Sequence, residues 1–378
     1  MKSHVFVLHG DLTRLACDAW LVPTDRAMTI ERPWQAALGT TERRYPASFA
    51  AGRRTLVVDE PRPHRGLPIL TDVGGVASRD IDWYVEGVRE FLAVAAAAPE
   101  RLERPRRLVA LPLVGTGQGG KAREAGAVLE RLLPMLRSEA ERLTIDIALV
   151  VRRPAAFHAA QAIRRRSEEA DGWTDKLGPT LIASAQRLAE LAGAGRLVLF
   201  LGAGVSVGAG LPAWGELLSM LTTDLGIVPG GTDKEEWAKL SYLDIAQLIQ
   251  SEIERLRSLD PSAPTLGERI AAILASYERH ALAHGLLASI PIDELVTTNY
   301  DTLMESAIEG AGRRVSILPY APSRAGQGWL LKLHGCLKHS DDIVLTRSDF
   351  LRYDDRRAAL RGIVQAMLMT HHMLFVRS

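Results

Sequence analysis

The stretch from Arg196 to Trp214, RLVLFLGAGVSVGAGLPAW, narrows the possible folds more than any other part of the chain. Leu197 to Leu201 form an apolar run of strand length, and a strand without polar alternation is buried on both faces, as in a parallel sheet covered by helices. The run ends in Gly202, Gly204, Gly208 and Gly210, followed by the turn-forming Pro212. A strand that opens through glycines into a helix lets backbone N–H groups approach a pyrophosphate, and the helix dipole favours its charge. The spacing is Gly-x-Gly-x-x-x-Gly, one residue longer than the dehydrogenase fingerprint, and it lacks the Gly-Lys-Ser/Thr ending of a Walker loop. A phosphate-binding, doubly wound sheet of another kind is expected.

A chain of 378 residues is too long for one ordinary domain and implies two or three. Its 47% hydrophobic and 24% charged residues exclude disordered and fibrous classes. No apolar run approaches the ~20 residues of a membrane-spanning helix, and the opening MKSHVFVLHGD meets a charge too early for a signal peptide, so no membrane partner and a cytoplasmic location are expected. Cys17 and Cys336 cannot build a four-cysteine zinc site and read as free thiols. Residues 1–175 carry 26 Lys and Arg against 23 Asp and Glu, and the remainder 20 against 22, so neither half has the basic footprint of a nucleic-acid binder.

Short strands are expected at 4–8, 19–23, 55–59, 67–71, 108–113 and 145–151, with helices at 81–98, 122–142 and 154–166. This is an α/β sandwich over residues 1–166. The polar stretch 167–178 carries Asp171-Gly172 and marks a boundary, so 167–192 reads as linker and helix. Residues 193–378 then read as a Rossmann-type parallel sheet with a helical cap, its later strands at Glu294 to Thr297, Leu330 to His334 and Ile343 to Thr346. Met373 to Val376 reads as the start of another central strand, and the end at Ser378 is expected to mean either that the last part of this domain is missing or that the protein is naturally short there.

Three segments lie at the carboxyl ends of expected strands, where open α/β sheets place ligands: GAGVSVGAGLPAW, then TTNYD at 297–301, then Lys332-Leu333-His334-Gly335. Taken singly, Asp301 reads equally well as a helix N-cap and His334 as a structural histidine. Together, in this order, they resemble the bacterial sirtuin-like branch that consumes NAD. The resemblance implies a pocket in which Gly202, Ala203, Gly204, Ser206, Pro212 and Trp214 hold NAD, Asn299 engages ribose hydroxyls or a water, His334 acts as general base and Asp301 orients the site. Deacylating sirtuins carry two Cys-x-x-Cys pairs after the LHG segment, whereas this chain has only Cys336 there, so no metal site and no zinc are expected.

In the first half, GDLTRLACDAWLVPTD and ALPLVGTGQGG resemble the macro domain, the ADP-ribose-binding fold. The resemblance assigns Asp11 to an adenine amino group, and Gly115, Thr116, Gly117, Gly119 and Gly120 to a diphosphate. Pro23-Thr24-Asp25 stands where the family has its ribose-gripping asparagines, so removal of ADP-ribose from proteins is not expected.

The two resemblances together imply an oligomeric NAD glycohydrolase, regulated by an ADP-ribose-derived nucleotide and acting in antiphage defence of the Thoeris type by depleting NAD. The alternatives are an NAD or ADP-ribose binding module, a protein ADP-ribosyltransferase or a deacylase.

Overall fold

Alternation along the strands builds the first sheet. In β2 (Ala19–Thr24), Ala19 and Leu21 enter one hydrophobic core while Trp20 and Val22 enter another; in β6 (Asp146–Val151), Ile147 and Leu149 oppose Ala148 and Val150 in the same way. Successive strand side chains point to opposite faces, so a strand apolar at every position must be covered twice. The computed structural model describes residues 2–39, 46, 48–58, 64–74, 79–102, 104–116, 124–166, 172–227 and 239–376.

With β1 (Val5–His9), β3 (Thr55–Val57), β4 (Leu67–Asp72) and β5 (Leu108–Pro112), these strands form a six-stranded sheet in the order β1-β6-β5-β2-β4-β3. Every pair is parallel except β3 with β4. One face packs against α2 (Ile81–Ala95), α3 (Ala125–Leu143) and α4 (Pro154–Arg166) through Tyr84, Phe91, Leu132, Leu136 and Ala160. The other face is covered by Leu12, Leu15, Leu38 of α1 (Arg32–Leu38) and Leu282. The sheet is thus the middle layer of an α/β sandwich.

The chain divides into two units by compactness. The first comprises Met1–Gln186 together with Arg279–Ser289 and Ser306–Arg313; the second comprises Arg187–Glu278, Ile290–Glu305 and Arg314–Ser378. The long helix α5 (Gly172–Gly193) bends at Gly178, whose φ of 72° no helix accommodates, and the division falls beyond that bend.

The second unit is built on a five-stranded, fully parallel sheet in the order β11-β7-β8-β10-β9, from β7 (Leu197–Leu201), β8 (Glu294–Thr297), β9 (Val315–Leu318), β10 (Gly328–Lys332) and β11 (His372–Val376). From β7 the chain builds outward on one side through β8, and β11 returns to its other side. Strand direction across the sheet therefore reverses beside the carboxyl end of β7, the switch point at which such sheets open a crevice.

One expectation is corrected here. Ile343 to Thr346 form no strand: Val344 is held at both backbone groups, its N–H by the His334 carbonyl and its C=O by the Tyr300 hydroxyl. Thr346 instead caps α12 (Arg347–Leu351) in a reciprocal box with Asp349. The strand beside β10 is β9, whose four residues are too short to announce themselves by pattern.

Between β7 and β8 lie α6 (Gly204–Val207), α7 (Trp214–Asp224), α8 (Tyr242–Leu259), α9 (Leu266–Leu274) and α10 (Leu282–Ala288). Thr265 and Glu268 start α9 with a capping box, and Ser241 caps α8. After β8 come α11 (Leu303–Gly310) and, beyond α12, α13 (Tyr353–Thr370), whose Leu360 and Met367 cover Val198, Val296 and Leu331 of the sheet.

Candidate functional site

A small cavity of about 50 Å³ opens in the second unit. Its walls come from three directions. Ala203, Ser206, Leu211 and Pro212 follow β7, Thr298 to Asp301 follow β8, and Trp214, Leu217 and Leu274 reach in from α7 and α9. Two sequence segments expected at one site are therefore brought together, and the helices between them close the far side.

Polar atoms at the floor form one directed chain. Asp301 accepts from Ser206 Oγ at 2.8 Å and, through its other oxygen, from the Leu303 N–H at 3.0 Å, which caps the start of α11. Asn299 Nδ2 lies 3.1 Å from the Gly202 carbonyl and 3.2 Å from Ser206 Oγ. A carboxylate and a carbonyl only accept, and a hydroxyl has one proton to give. Ser206 spends that proton on Asp301, so it accepts from Asn299, and the asparagine amide is pinned with Nδ2 toward the glycine loop. Asn299 Oδ1 is buried and has no hydrogen-bond partner among the described residues. Such an acceptor is costly to leave unmade, and it is the atom this floor offers to a donor from a ligand.

The glycine loop is tighter than a long helix start. Its helix α6 has only four residues, and the amides of Val205 and Ser206 already close the turn on the carbonyls of Gly202 and Ala203. A Cβ at Gly202 would meet nothing nearer than the Val376 carbonyl at 3.8 Å. Packing of the chain itself does not call for glycine there.

His334 stands apart from the cavity lining. Its ring meets the edges of Phe350 and Tyr353, with centroids 5.3 and 6.2 Å away, and its Nδ1 is buried without a hydrogen-bond partner among the described residues. Burial, then the nearby Arg357 charge, push its pKa down to about 4, so the imidazole is neutral at pH 7. The turn that carries it is locked. Gly335 has φ of 100°, and a Cβ on it would sit 2.3 Å from the Asp342 carbonyl oxygen. Arg357 donates to the Leu333 carbonyl at 2.9 Å and the Asp342 carbonyl at 2.5 Å, and Tyr353 adds a bond to Leu333 O at 3.1 Å.

Sequence reasoning missed several of these. Arg357, Tyr353 and Asp342 carry no motif. Leu217 and Leu274 are ordinary core residues of their helices by pattern. Lys332 did leave a signal, a single charge in the apolar run Trp329 to Leu333, and it is fully buried at 0% exposure. Its Nζ lies 2.9 Å from Glu305 and donates to the carbonyls of Tyr300, at 3.3 Å, and Asp301.

In the first unit, Asp11 is engaged by its own chain. It accepts from Thr13 N and Oγ1, capping a 3-10 turn, and lies 3.5 Å from Arg152. Gly115 adopts φ of 75° against the Tyr84 ring, and Thr116 donates to the Leu113 carbonyl at 3.2 Å. Gly117, Gly119 and Gly120 lie outside the described residues. Among the described residues no group of His, Cys, Asp and Glu is arranged to hold a metal ion, and no helix is long and apolar enough to cross a membrane.

A family model for the SIR2-like domain matches residues 293–376, which run from β8 through the turn of His334 to β11. The chain is 28% identical over 197 residues to NAD(+) hydrolase ThsA of Enterococcus faecium, covering 50% of this chain and 38% of that protein. It is 23% identical over 215 residues to defense-associated sirtuin 2 of Bacillus subtilis, covering 53% and 19%, and 25% identical over 186 residues to NAD(+) hydrolase ThsA of Bacillus cereus, covering 47% and 36%. The chain thus spans well under half the length of these relatives. A macrodomain of Oceanobacillus iheyensis superposes on 42% of this chain and 89% of its own, with 11% identity and a TM-score of 0.33. Within the SIR2-like segment fall Asn299, Asp301, Lys332 and His334, while the glycine loop of β7 lies before it.

Proposed function

We propose that the second unit binds NAD in the cavity beside β7 and β8 and hydrolyses it to ADP-ribose and nicotinamide. The observation that carries this reading is the pinned amide of Asn299, with Oδ1 unpartnered beside a glycine loop whose Gly202 is not demanded by packing. The names of the NAD(+) hydrolase relatives support it. Cleaving the glycosidic bond to nicotinamide leaves an electron-poor ribose carbon, much as in glycoside hydrolysis. A neutral leaving group needs little protonation, so the protein's tasks are to hold the ribose, exclude bulk water and admit one nucleophile. In this reading Asn299 Oδ1 accepts from a ribose hydroxyl or the attacking water, Gly202, Ala203 and Gly204 line the diphosphate, and Pro212 and Trp214 wall the pocket. His334, neutral at pH 7, is the proton acceptor, reached from the cavity once substrate is seated.

The first unit, in the same proposal, binds an ADP-ribose-type nucleotide through Asp11 and the loop from Gly115 to Gly120, and that binding controls turnover in an oligomer that defends bacteria by NAD depletion. The name of the Bacillus subtilis relative supports the defence role. The domain limits that go with it are 1–166, 167–192 and 193–378. One observation favours a second reading, a module that binds NAD without cleaving it: His334 lies outside the cavity lining.

The experiment is incubation of the protein with NAD, following nicotinamide by chromatography, with and without cyclic ADP-ribose isomers. Asn299→Ala is expected to abolish turnover with a thermal melt close to that of the parent. Binding by calorimetry with no nicotinamide in any condition selects the module; neither binding nor product refutes both.

A further inference from the structure

We infer that Lys332 is a positioning residue for the reactive loop, holding Asn299 and Asp301 in place by clasping the backbone of that loop from beneath. This rests on the proposed NAD cleavage for its consequence but not for its geometry. A lysine with no exposed surface is rare, because removing an ammonium from water is costly unless every proton finds an acceptor. Here all three protons are used: one toward Glu305 at 2.9 Å, and two toward the carbonyls of Tyr300, at 3.3 Å, and Asp301. Burial alone would lower its pKa, but Glu305, with Asp301 and Cys336 beyond it, outweighs that and holds the ammonium charged.

The placement gives the pair a purpose beyond charge balance. Lys332 ends β10, and Glu305 lies in the first turn of α11. The two carbonyls belong to the residues directly after Asn299, in a segment without ladder partners of its own beyond Thr297. Asp301 in turn sets Ser206 and so the face of the Asn299 amide. A loop that leaves a strand end is anchored there by a cation from the neighbouring strand. Glu305 serves the cation rather than the loop: it compensates the charge and does not itself bond the 299–301 backbone.

Two variants separate the clasp from simple stability. Replacing a buried ion pair by apolar residues commonly keeps a fold intact, so K332M/E305M is expected to fold and melt near the parent. Amide hydrogen exchange of residues 299–303 should nonetheless rise about tenfold or more, as charged hydrogen bonds are lost, and kcat for NAD should fall by a similar factor with a smaller change in KM. E305D keeps the carboxylate charge that compensates Lys332 and leaves both carbonyl bonds, so its loop exchange and kcat should stay within about twofold of the parent. The inference is overturned if K332M/E305M keeps parental exchange over 299–303, or if E305D loosens the loop as much as the double variant does. Should the parent show no NAD turnover, the functional reading fails while the exchange measurement still decides the clasp.

Discussion

Ser206 Oγ donates to Asp301 at 2.8 Å, and this bond together with the Gly202 carbonyl fixes which way the Asn299 amide faces. Because Asp301 accepts only, the hydroxyl proton is committed, Ser206 must receive from Asn299 Nδ2, and Oδ1 is left for the ligand.

That directionality predicts a specific failure. Asp301→Asn preserves size, and its carbonyl can still accept from Leu303 N to cap α11. Its amide donates to Ser206, however, so the hydroxyl proton is free to point at Asn299, and only the Gly202 carbonyl still holds the amide's face. Turnover of NAD should fall by about tenfold to a thousandfold, the range for a misplaced transition-state partner, with the melt shifted little. A parental kcat in Asp301→Asn would show that the orientation of Asn299 does not matter.

Gly335 is the most exacting backbone position around the site. Alanine there must adopt φ of 100° with its Cβ 2.3 Å from the Asp342 carbonyl. The conformation alone costs about 1–3 kcal/mol, and the overlap adds to it. Chemical denaturation of Gly335→Ala should show a loss of at least this size, and the turn that carries His334 should lose protection first.

The first unit should be acid-sensitive through His280. This residue is 3% exposed, bonded through Nδ1 to the Ala281 carbonyl, and packed near His284, Arg14 and Asp11. Burial holds its pKa near 4 against an ordinary 6.5. The unfolded chain therefore binds the extra proton first, so the contribution is complete above pH 6.5 and is lost as pH falls toward 4. The shift corresponds to at most about 3 kcal/mol. Urea melts of the parent between pH 7.5 and 4.5 should show stability declining with acid, and His280→Gln should flatten that decline; equal slopes would remove His280 from the account.

Much of this molecule is legible in one dimension. The apolar run Leu197 to Leu201 is β7 residue for residue, because a strand buried on both faces has no polar positions to confuse its limits, and Glu294 to Thr297 is β8. Asp301 as a cap for the following helix was readable from its place before a helical pattern. The short strand Val315 to Leu318 was not, and Ile343 to Thr346 imitated a strand while serving as a brace for the turn after β10. Pattern reports burial and period, and a short extended segment shows both whether or not it joins a ladder.

By itself, the sequence determined which residue types stand at the strand ends: glycines after one strand, Asn-Tyr-Asp after the next, Leu-His-Gly after a third. Each is a local property of a strand end, set by backbone freedom and side-chain chemistry within a few residues. Only the tertiary structure decided how they are used. It placed Asn299 and Ser206 in contact across 93 positions of chain, set Lys332 beneath the carbonyls of a loop 31 and 32 positions away, and left His334 under Arg357, outside the cavity. Hydrogen-bond direction and desolvation are properties of neighbours in space. A linear pattern names the donors and acceptors but does not say which of them meet.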